Sequence, residues 1–270
     1  LMRQKYGISH RQHSQQMKGI LFDLDGVFYV EQQLIPGGIE CLNWLREQKI
    51  PYRFVTNNTT LSRTNLVDKL QELGLPVAEQ DLVSANYAGV LLLAQRNFKR
   101  CRLILRPEAQ LDYPPNCLDR PDAIVIGDIG NRWDYDLLNT LMNQVLDGAE
   151  IIALHKGRYH EGPSGLVLDS GAFVAALEHA TGKQATVVGK PTQTFFKLAS
   201  HSFGCKPEDL IMVGDDLIND IKGAQHMGMH AVLVQTGKYR KVLVDESKIK
   251  PEGSISSIRE LPNYLQTQIE

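Results

Sequence analysis

The sequence predicts an α/β fold in which a parallel-sheet core is interrupted by a smaller inserted α/β domain. Two observations support this prediction. Short apolar and β-branched runs alternate with helical patterns along the chain, which is the order that produces parallel sheets. Four of these runs also end in polar or charged residues, and ligands of open α/β sheets bind at the carboxyl ends of the strands.

The first of these runs, residues 19–27, ends in two carboxylates. Asp23 and Asp25 lie on either side of Leu24, just before Gly26. Side chains two positions apart share a face of a strand, so extended geometry would place the two acids together. A hard cation such as Mg²⁺ relieves this repulsion and also receives phosphate oxygens. The pair therefore suggests phosphoryl chemistry, although a solvated strand-end turn is the alternative.

Two further strand-like runs end in groups that suit a phosphate. The run that begins at Tyr52 ends in Thr56, Asn57 and Asn58 before a helical pattern. A hydroxyl and backbone N–H groups near a helix start form an anion site, although Thr and Asn also cap helices. Lys190 ends another such run, where a solvated surface charge is the alternative.

The fourth run places three acids after an apolar strand. Asp215, Asp216 and Asp220 follow residues 210–214. This loop is either a metal site or an acidic helix N-terminus, where the helix dipole also favours carboxylates. Because ligands of such sheets bind at the carboxyl ends of the strands, we expect the four run ends to form one site.

A folded insert separates two of these groups. About 130 residues lie between Thr56 and Lys190, whereas connections within a domain usually have about 4–6 residues. The insert has its own alternating pattern, with strands over 102–105, 123–126 and 150–153 and helices over 133–147 and 171–181. We predict a disordered leader over 1–17, a discontinuous core over 18–85 and 184–270, and the inserted α/β domain over 86–183.

At these residues the chain resembles the haloacid dehalogenase superfamily of phosphohydrolases. Its four motifs match the Asp23–Asp25 pair, Thr56, Lys190 and the loop from Gly214 to Asp220, in the family's order. The resemblance covers about residues 18 to 265. It extends to subclass IIA, which contains 4-nitrophenyl phosphatases and phospholysine/phosphohistidine inorganic pyrophosphate phosphatase. It implies a Rossmann-like core with a large inserted α/β cap domain.

The resemblance also implies a role for each motif residue. Asp23 would be the nucleophile that forms an aspartyl-phosphate, and Asp25 the general acid and base. Mg²⁺ would be held by the Asp23 carboxylate, the Asp25 backbone carbonyl and the Asp215 carboxylate. Phosphate-binding groups would come from Thr56, Asn57, Asn58 and Lys190, and waters on the metal would be oriented by Asp216 and Asp220. The expected substrates are small phosphate monoesters, or compounds with phosphoamide or pyrophosphate bonds.

A basic segment of the insert is a further candidate for substrate contact. Lys156, Arg158 and Tyr159 follow an apolar strand, and caps of the resembling proteins reach the active site from about this position. These side chains would favour an anionic or aromatic leaving group. A solvated basic turn explains the same residues equally well.

Three other functions are considered. A phospho-receiver domain also combines acids, a hydroxyl and a lysine around Mg²⁺, but its acid pair precedes a phosphoacceptor on a later strand. A phosphotransferase or phosphomutase would use the same aspartyl-phosphate and remains open. A non-catalytic binding protein is disfavoured because the motif acids and lysine are all present.

Composition restricts the class of partner and the location. The 270 residues carry a net charge of −2, so no basic excess suggests nucleic acid. Four widely spaced cysteines fit free thiols in a reducing compartment. No apolar run approaches the ~20 residues of a membrane helix, and no signal peptide precedes the first strand. We therefore expect a cytoplasmic protein that acts on a small phosphorylated metabolite and forms a homodimer through its cap.

Overall fold

The computed structural model describes residues 17–162 and 165–269, so most of the predicted leader lies outside the described residues. The strands are β1 (Gly19–Asp23), β2 (Tyr29–Val30), β3 (Gln33–Leu34), β4 (Tyr52–Thr56), β5 (Leu82–Ser84), β6 (Cys101–Ile104), β7 (Ala123–Ile126), β8 (Glu150–Ala153), β9 (Tyr159–Gly162), β10 (Gly165–Leu168), β11 (Thr186–Val187), β12 (Leu210–Gly214), β13 (His230–Val234) and β14 (Gly253–Ile255). The α-helices are α1 (Gly38–Glu47), α2 (Arg63–Glu72), α3 (Ala85–Gln95), α4 (Tyr135–Leu146), α5 (Ser170–Thr181), α6 (Gln193–Ser200), α7 (Gly223–Gln225), α8 (Lys241–Glu246) and α9 (Leu261–Ile269), and a π-helical turn spans Leu217–Lys222.

The larger sheet has six parallel strands in the order β14-β13-β12-β1-β4-β5. From β1 the chain proceeds to β4 and β5 on one side, and later to β12, β13 and β14 on the other. The direction of winding therefore switches between β1 and β12. The carboxyl ends of strands at such a switch diverge and leave a crevice, which is where ligands bind in open α/β sheets. Asp23 ends β1 and Asp215 follows β12, so both lie at this crevice.

The central strands are apolar because both faces of the sheet are covered. All five residues of β1 are buried, as expected of a strand in a parallel sheet with packing on both sides. On one face, Phe22 contacts Phe28 edge to face at 5.3 Å between ring centroids, and Phe28 contacts Phe54 at 5.4 Å. Each such pair contributes about 0.5–1.5 kcal/mol beyond the burial of its area. This packing fixes the strand that ends in Asp23.

The smaller sheet has four parallel strands in the order β11-β8-β7-β6. Strands β7 and β8 have the predicted bounds, and β6 begins one residue earlier than expected. Helices α4 and α5 pack on this sheet through a buried cluster that includes Ile124, Leu141 and Val174. The α/β fold with a parallel core sheet and an inserted smaller α/β unit is therefore confirmed.

The strand before Lys190 differs from the prediction. The sequence places it in the core, but β11 pairs with β8 in the smaller sheet. The ladder continues beyond β11, because the N–H of Val188 donates to Ala153 at 2.8 Å and the N–H of Gly189 donates to Leu154 at 2.9 Å. Lys190 therefore reaches the crevice from the smaller sheet. The other domain boundaries stay a prediction.

Two small hairpins complete the described strands. β2 and β3 pair near the crevice, and β9 and β10 pair on the smaller unit. Across the described ranges, no helix is both long enough and apolar enough to cross a membrane.

Candidate active site

A buried lysine connects two of the predicted acids. The Nζ atom of Lys190 lies 2.8 Å from Asp23 Oδ1 and 2.7 Å from Asp220 Oδ1. The Lys190 and Asp23 side chains are 3% and 6% exposed, and Asp220 is fully buried. Burial alone would lower the pKa of Lys190, but Asp220 and Asp23 outweigh it and raise the pKa above its ordinary value. The ammonium is therefore a fixed positive charge beside Asp23.

Asp215 is the second acid at the switch point. Its Oδ2 accepts a hydrogen bond of 2.6 Å from the backbone N–H of Lys238, whereas its buried Oδ1 has no hydrogen-bond partner among the described residues. Burial raises the pKa of Asp215 to about 7, although the bond from Lys238 opposes this effect. Buried polar atoms normally have a partner, so this oxygen is available to a ligand that enters the crevice.

Two glycines bring their chain segments against Asp215. A Cβ at Gly26 would lie 1.9 Å from Asp215 Oδ2, and one at Gly237 would lie 2.1 Å from the same atom. Both residues have positive φ, at 84° and 55°. The Thr236 hydroxyl donates to the Gly26 carbonyl and joins the two segments. The sequence analysis missed this role, although a glycine three residues after the end of each of two strands, β1 and β13, was a usable signal.

Asp25 lies beyond the end of β1. The strand stops at Asp23, so extended geometry does not continue to Asp25, and Asp23 is buried while Asp25 is exposed. The surrounding protein still excludes enough water to raise the pKa of Asp25. Lys238 opposes this rise, Asp23 adds to it, and Lys69 opposes it. A raised pKa favours the protonated form that a general acid requires.

The segment after β4 has three different sets of contacts. Thr56 is buried, and its hydroxyl accepts a bond of 3.3 Å from the Asn58 N–H. The Asn58 side chain holds its own turn, because its Oδ1 accepts bonds from the N–H groups of Thr60 and Leu61. The Asn57 side chain instead contacts the backbone of Lys190.

Asp216 has a structural role at the start of the π-helical turn. Its Oδ1 accepts bonds from the N–H groups of Ile218 and Asn219 at 3.0 and 2.9 Å, which is the arrangement of an N-cap. Its Oδ2 lies 3.6 Å from Lys238 Nζ. Although burial opposes them, the hydrogen bonds from Asn219 and the charge of Lys238 lower the pKa of Asp216. The acidic loop therefore contains both a helix cap and a candidate ligand, Asp215.

The predicted core residues line one cavity of about 570 Å³. Its lining includes Asp23, Asp25, Thr56, Asn57, Asn58, Lys190, Asp215, Asp216 and Asp220, together with Tyr29, Lys69 and Lys238, which the sequence interpretation did not select. Their assigned roles stay predictions.

The three basic-segment candidates are not in the lining of this cavity. Lys156, Arg158 and Tyr159 are exposed, and Lys156 Nζ lies 2.6 Å from Glu178 Oε2. The same segment packs against the start of α5, because a Cβ added at Gly157 would lie 2.1 Å from Asp169 Oδ2. Contact between these three residues and a leaving group stays a prediction.

The acids at the switch point fit a hard cation. Carboxylate oxygens from Asp23, Asp215 and Asp220 all lie within 4.8 Å of one another. Hard divalent cations prefer such oxygen donors, and Asp215 offers a buried oxygen that has no other partner. In this structure Asp23 and Asp220 each already contact Lys190 through one oxygen. The second oxygen of Asp220 also accepts a hydrogen bond, of 3.1 Å from the Asp216 N–H, so Asp23 and Asp215 offer more freely available carboxylate oxygens.

Comparisons with known families agree with this geometry. A family model described as haloacid dehalogenase-like hydrolase matches residues 20–113, and a second model for the same kind of hydrolase matches residues 187–261. Haloacid dehalogenase-like hydrolase domain-containing protein 2 of Bos taurus is 41% identical over 235 residues, which cover 87% of this chain and 90% of the relative. Phospholysine phosphohistidine inorganic pyrophosphate phosphatase of Homo sapiens is 33% identical over 255 residues, covering 92% and 94% of the two chains.

Solved structures share the whole architecture. A 4-nitrophenylphosphatase from Thermotoga maritima has a TM-score of 0.83 and 27% sequence identity, and the match covers 93% of this chain and 98% of that one. A p-nitrophenyl phosphatase from Archaeoglobus fulgidus has a TM-score of 0.84 and 25% identity, with 92% and 99% of the chains covered. Sequence and structure therefore agree that the chain belongs to the haloacid dehalogenase-like hydrolase family.

Proposed function

We propose that this hydrolase is a Mg²⁺-dependent phosphatase that cleaves small phosphate monoesters, phosphoamides or pyrophosphate through a covalent intermediate on Asp23. One observation carries most weight. Asp23 lies at the sheet's switch point, with a fixed ammonium on one of its oxygens and the unpaired oxygen of Asp215 nearby. The names of the relatives and neighbours, which include nitrophenyl phosphatases, support phosphate esters as substrates.

In the first half-reaction, a carboxylate oxygen of Asp23 attacks phosphorus. An oxygen–phosphorus bond forms on Asp23 while the bond to the leaving group breaks. The protonated form of Asp25, which its raised pKa favours, donates a proton to the departing oxygen or nitrogen. Lys190 and the Thr56 hydroxyl hold the phosphoryl oxygens as charge moves across them.

In the second half-reaction, the Asp25 carboxylate takes a proton from water. The water oxygen attacks phosphorus, and the bond to Asp23 breaks to release phosphate. Asp25 is then protonated again and Asp23 is again a carboxylate, so the cycle closes without a further reactant.

The residues that would hold Mg²⁺ are Asp23, Asp215 and the backbone carbonyl of Asp25. When bound, the ion would neutralise charge on the phosphoryl group and on the acids. The unpaired buried oxygen of Asp215 supports this assignment.

A phosphotransferase or phosphomutase is the alternative. It would form the same intermediate on Asp23 but pass the phosphoryl group to a second substrate instead of water. The relatives named as phosphatases favour hydrolysis.

The test is phosphate release from 4-nitrophenyl phosphate, small phosphoesters and pyrophosphate, with and without Mg²⁺. Wild type should release phosphate only with the metal, and Asp23→Asn should lose at least about 10³-fold in turnover because the nucleophile is removed. Wild-type activity in Asp23→Asn would refute Asp23 as the nucleophile. Release of 4-nitrophenol that requires an added acceptor alcohol, with the phosphate ester of that alcohol formed in place of inorganic phosphate, would favour the transferase.

We also propose a cytoplasmic location and a homodimer that forms through the inserted unit. The free state of all four cysteines supports a reducing compartment. Leu166 and Leu168 of β10 are 67% and 63% exposed, which supports burial of this hairpin against a second copy. Light scattering should give a dimer mass for wild type and a monomer mass for Leu166→Glu.

A further inference from the structure

The backbone of Lys190 is held by one distant side chain. Asn57 Oδ1 accepts a hydrogen bond of 2.7 Å from the Lys190 N–H, and Asn57 Nδ2 donates one of 3.0 Å to the Lys190 carbonyl. The two residues are 133 positions apart. One planar amide thus satisfies both main-chain polar groups of the same residue.

No other hydrogen bond to these two groups is found in residues 17–162 and 165–269. The next residue, Pro191, has no N–H group and therefore cannot donate a backbone hydrogen bond that would hold this part of the chain. The regular ladder to the smaller sheet ends one residue earlier, at the bond from Gly189 to Leu154. Up to Gly189 the backbone is held by hydrogen bonds to the smaller sheet, and at Lys190 it is held by the Asn57 side chain.

The packing around this contact leaves little space for adjustment. A Cβ at Gly189 would lie 2.6 Å from the Leu154 carbonyl oxygen and 2.9 Å from Asn57 Oδ1. Beyond this anchor, the lysine side chain runs to the two carboxylates of Asp23 and Asp220. A shift of its backbone would move the ammonium away from the position that it holds beside Asp23.

We propose that the Asn57 side chain is a positioning residue for Lys190: it fixes the lysine backbone so that the ammonium faces Asp23 and the phosphoryl group transferred there. The inference rests on the proposed function. It assigns the side chain of Asn57 a task separate from the phosphate contact predicted for this residue.

The amide of Asn57 suits this contact. Its donor and its acceptor lie in one plane, so it reaches the carbonyl and the N–H of Lys190 at the same time. Asn58, the adjacent amide, cannot replace it because its Oδ1 is bonded to Thr60 and Leu61.

A double-mutant cycle tests the inference on the full chain with Mg²⁺ and 4-nitrophenyl phosphate. The variants are Asn57→Leu, Lys190→Met and the double variant. Asn57→Leu should lower kcat by about 10²-fold, the loss expected from a 1 Å misplacement of a catalytic group. In the Lys190→Met background the same change should cost less than about 3-fold, because the group that it positions is gone.

The outcomes separate this inference from the proposed function. If the wild-type protein hydrolyses the substrate and the losses caused by Asn57→Leu and Lys190→Met are fully additive in the double variant, the role of Asn57 is overturned. The proposed phosphatase activity is unaffected by that result. A wild-type protein that neither releases nor binds inorganic phosphate would overturn the proposed function and this inference together. If Lys190→Met does not fold, the neutral polar variant Lys190→Gln replaces it, and the effect of Asn57→Leu should again shrink because the cation that Asn57 positions is absent.

A matched control separates positioning from stability. Asn116→Ala removes another amide that accepts from a backbone N–H, that of Leu103 at 2.8 Å. It should lower the melting temperature without any coupling to Lys190. Coupling of equal size in this control would also overturn the inference.

Discussion

Two lysines of this protein follow strands of the same small sheet but lie in opposite environments. Lys190 comes after β11, is 3% exposed and lies between Asp23 and Asp220. Lys156 comes after β8, is 35% exposed and pairs with Glu178. A lysine near a strand end therefore does not by itself indicate a functional site. What distinguishes Lys190 is that buried acids from another sheet require its charge.

Replacement of Lys190 should give the largest effect. Lys190→Met leaves two buried carboxylates without their cation, and breaking such a group costs about 3–5 kcal/mol. Urea unfolding at pH 7 without metal measures this loss. Lys156→Met is the matched comparison, and equal losses in the two variants would remove the distinction between the two lysines.

The glycine contact at Asp215 should give the next largest effect. In Gly237→Ala the new Cβ would lie 2.1 Å from Asp215 Oδ2 and 2.4 Å from the Gly26 Cα. Displacement of Asp215 should lower Mg²⁺ affinity at least about 10-fold, as loss of metal-site orientation typically does. Calorimetric titration with Mg²⁺ measures it.

Gly182→Ala is the control for backbone strain. Its φ of 67° is close to the 55° of Gly237, but a Cβ there would meet no atom within 4 Å. It should cost about 1 kcal/mol of stability and leave Mg²⁺ affinity unchanged. Equal Mg²⁺ affinities in Gly237→Ala and Gly182→Ala would show that the contact with Asp215 does not cause the loss of affinity.

The raised pKa of Asp215, about 7, predicts a pH-dependent metal affinity. Below that pH the carboxyl is protonated in the metal-free fold, so Mg²⁺ must displace a proton. Apparent affinity should therefore fall by up to about tenfold per pH unit below 7 and level off above it. The contribution of Asp215 to the stability of the metal-free protein should fall as pH rises from about 4 to 7, because its folded-state carboxyl retains a proton that the unfolded state loses.

Titrations at several pH values, in buffers of different ionisation enthalpy, measure the proton that is released on binding. Asp215→Asn should remove the contribution of this group to the slope of stability between pH about 4 and 7. An unchanged slope in this variant would assign it to other acids.

The exposed lysine should give the smallest effect. Lys156→Met removes a partly exposed ion pair, and such pairs contribute about 0–1 kcal/mol. Turnover of substrates with anionic leaving groups should fall if the predicted cap contact forms when substrate binds. Unchanged kcat/KM for both anionic and neutral leaving groups would refute that contact.

The sequence was most informative where polar residues interrupt apolar strands. The runs before Asp23 and Asp215 predicted strands, and their acids lie on neighbouring strands because the sheet switches direction there. It was less informative about partners that are distant along the chain. Nothing near Asn57 indicated that its amide holds Lys190, and Gly237 was the one local sign that the backbone at Lys238 approaches Asp215.

The prediction that the strand before Lys190 belongs to the core sheet was wrong for a related reason. Two residues, Thr186 and Val187, carry too little pattern to choose between two parallel sheets. Pairing with β8 decides it, and this depends on how the inserted unit folds. The different burial of Lys156 and Lys190 could not be predicted either, because both lysines follow similar short apolar runs.

The central position of β1 also sets when the site can exist during synthesis. β1 is made early, but its neighbour β12 follows roughly 190 residues later, which takes about 10–40 seconds at ribosomal rates of about 5–20 residues per second. During that interval β1 lacks a partner along one edge, and Asp23 lacks both Asp215 and Asp220. A nascent chain therefore carries Asp23 without the two other acids of the cluster, and the complete site forms only after β12 and the π-helical turn that follows it have been synthesised.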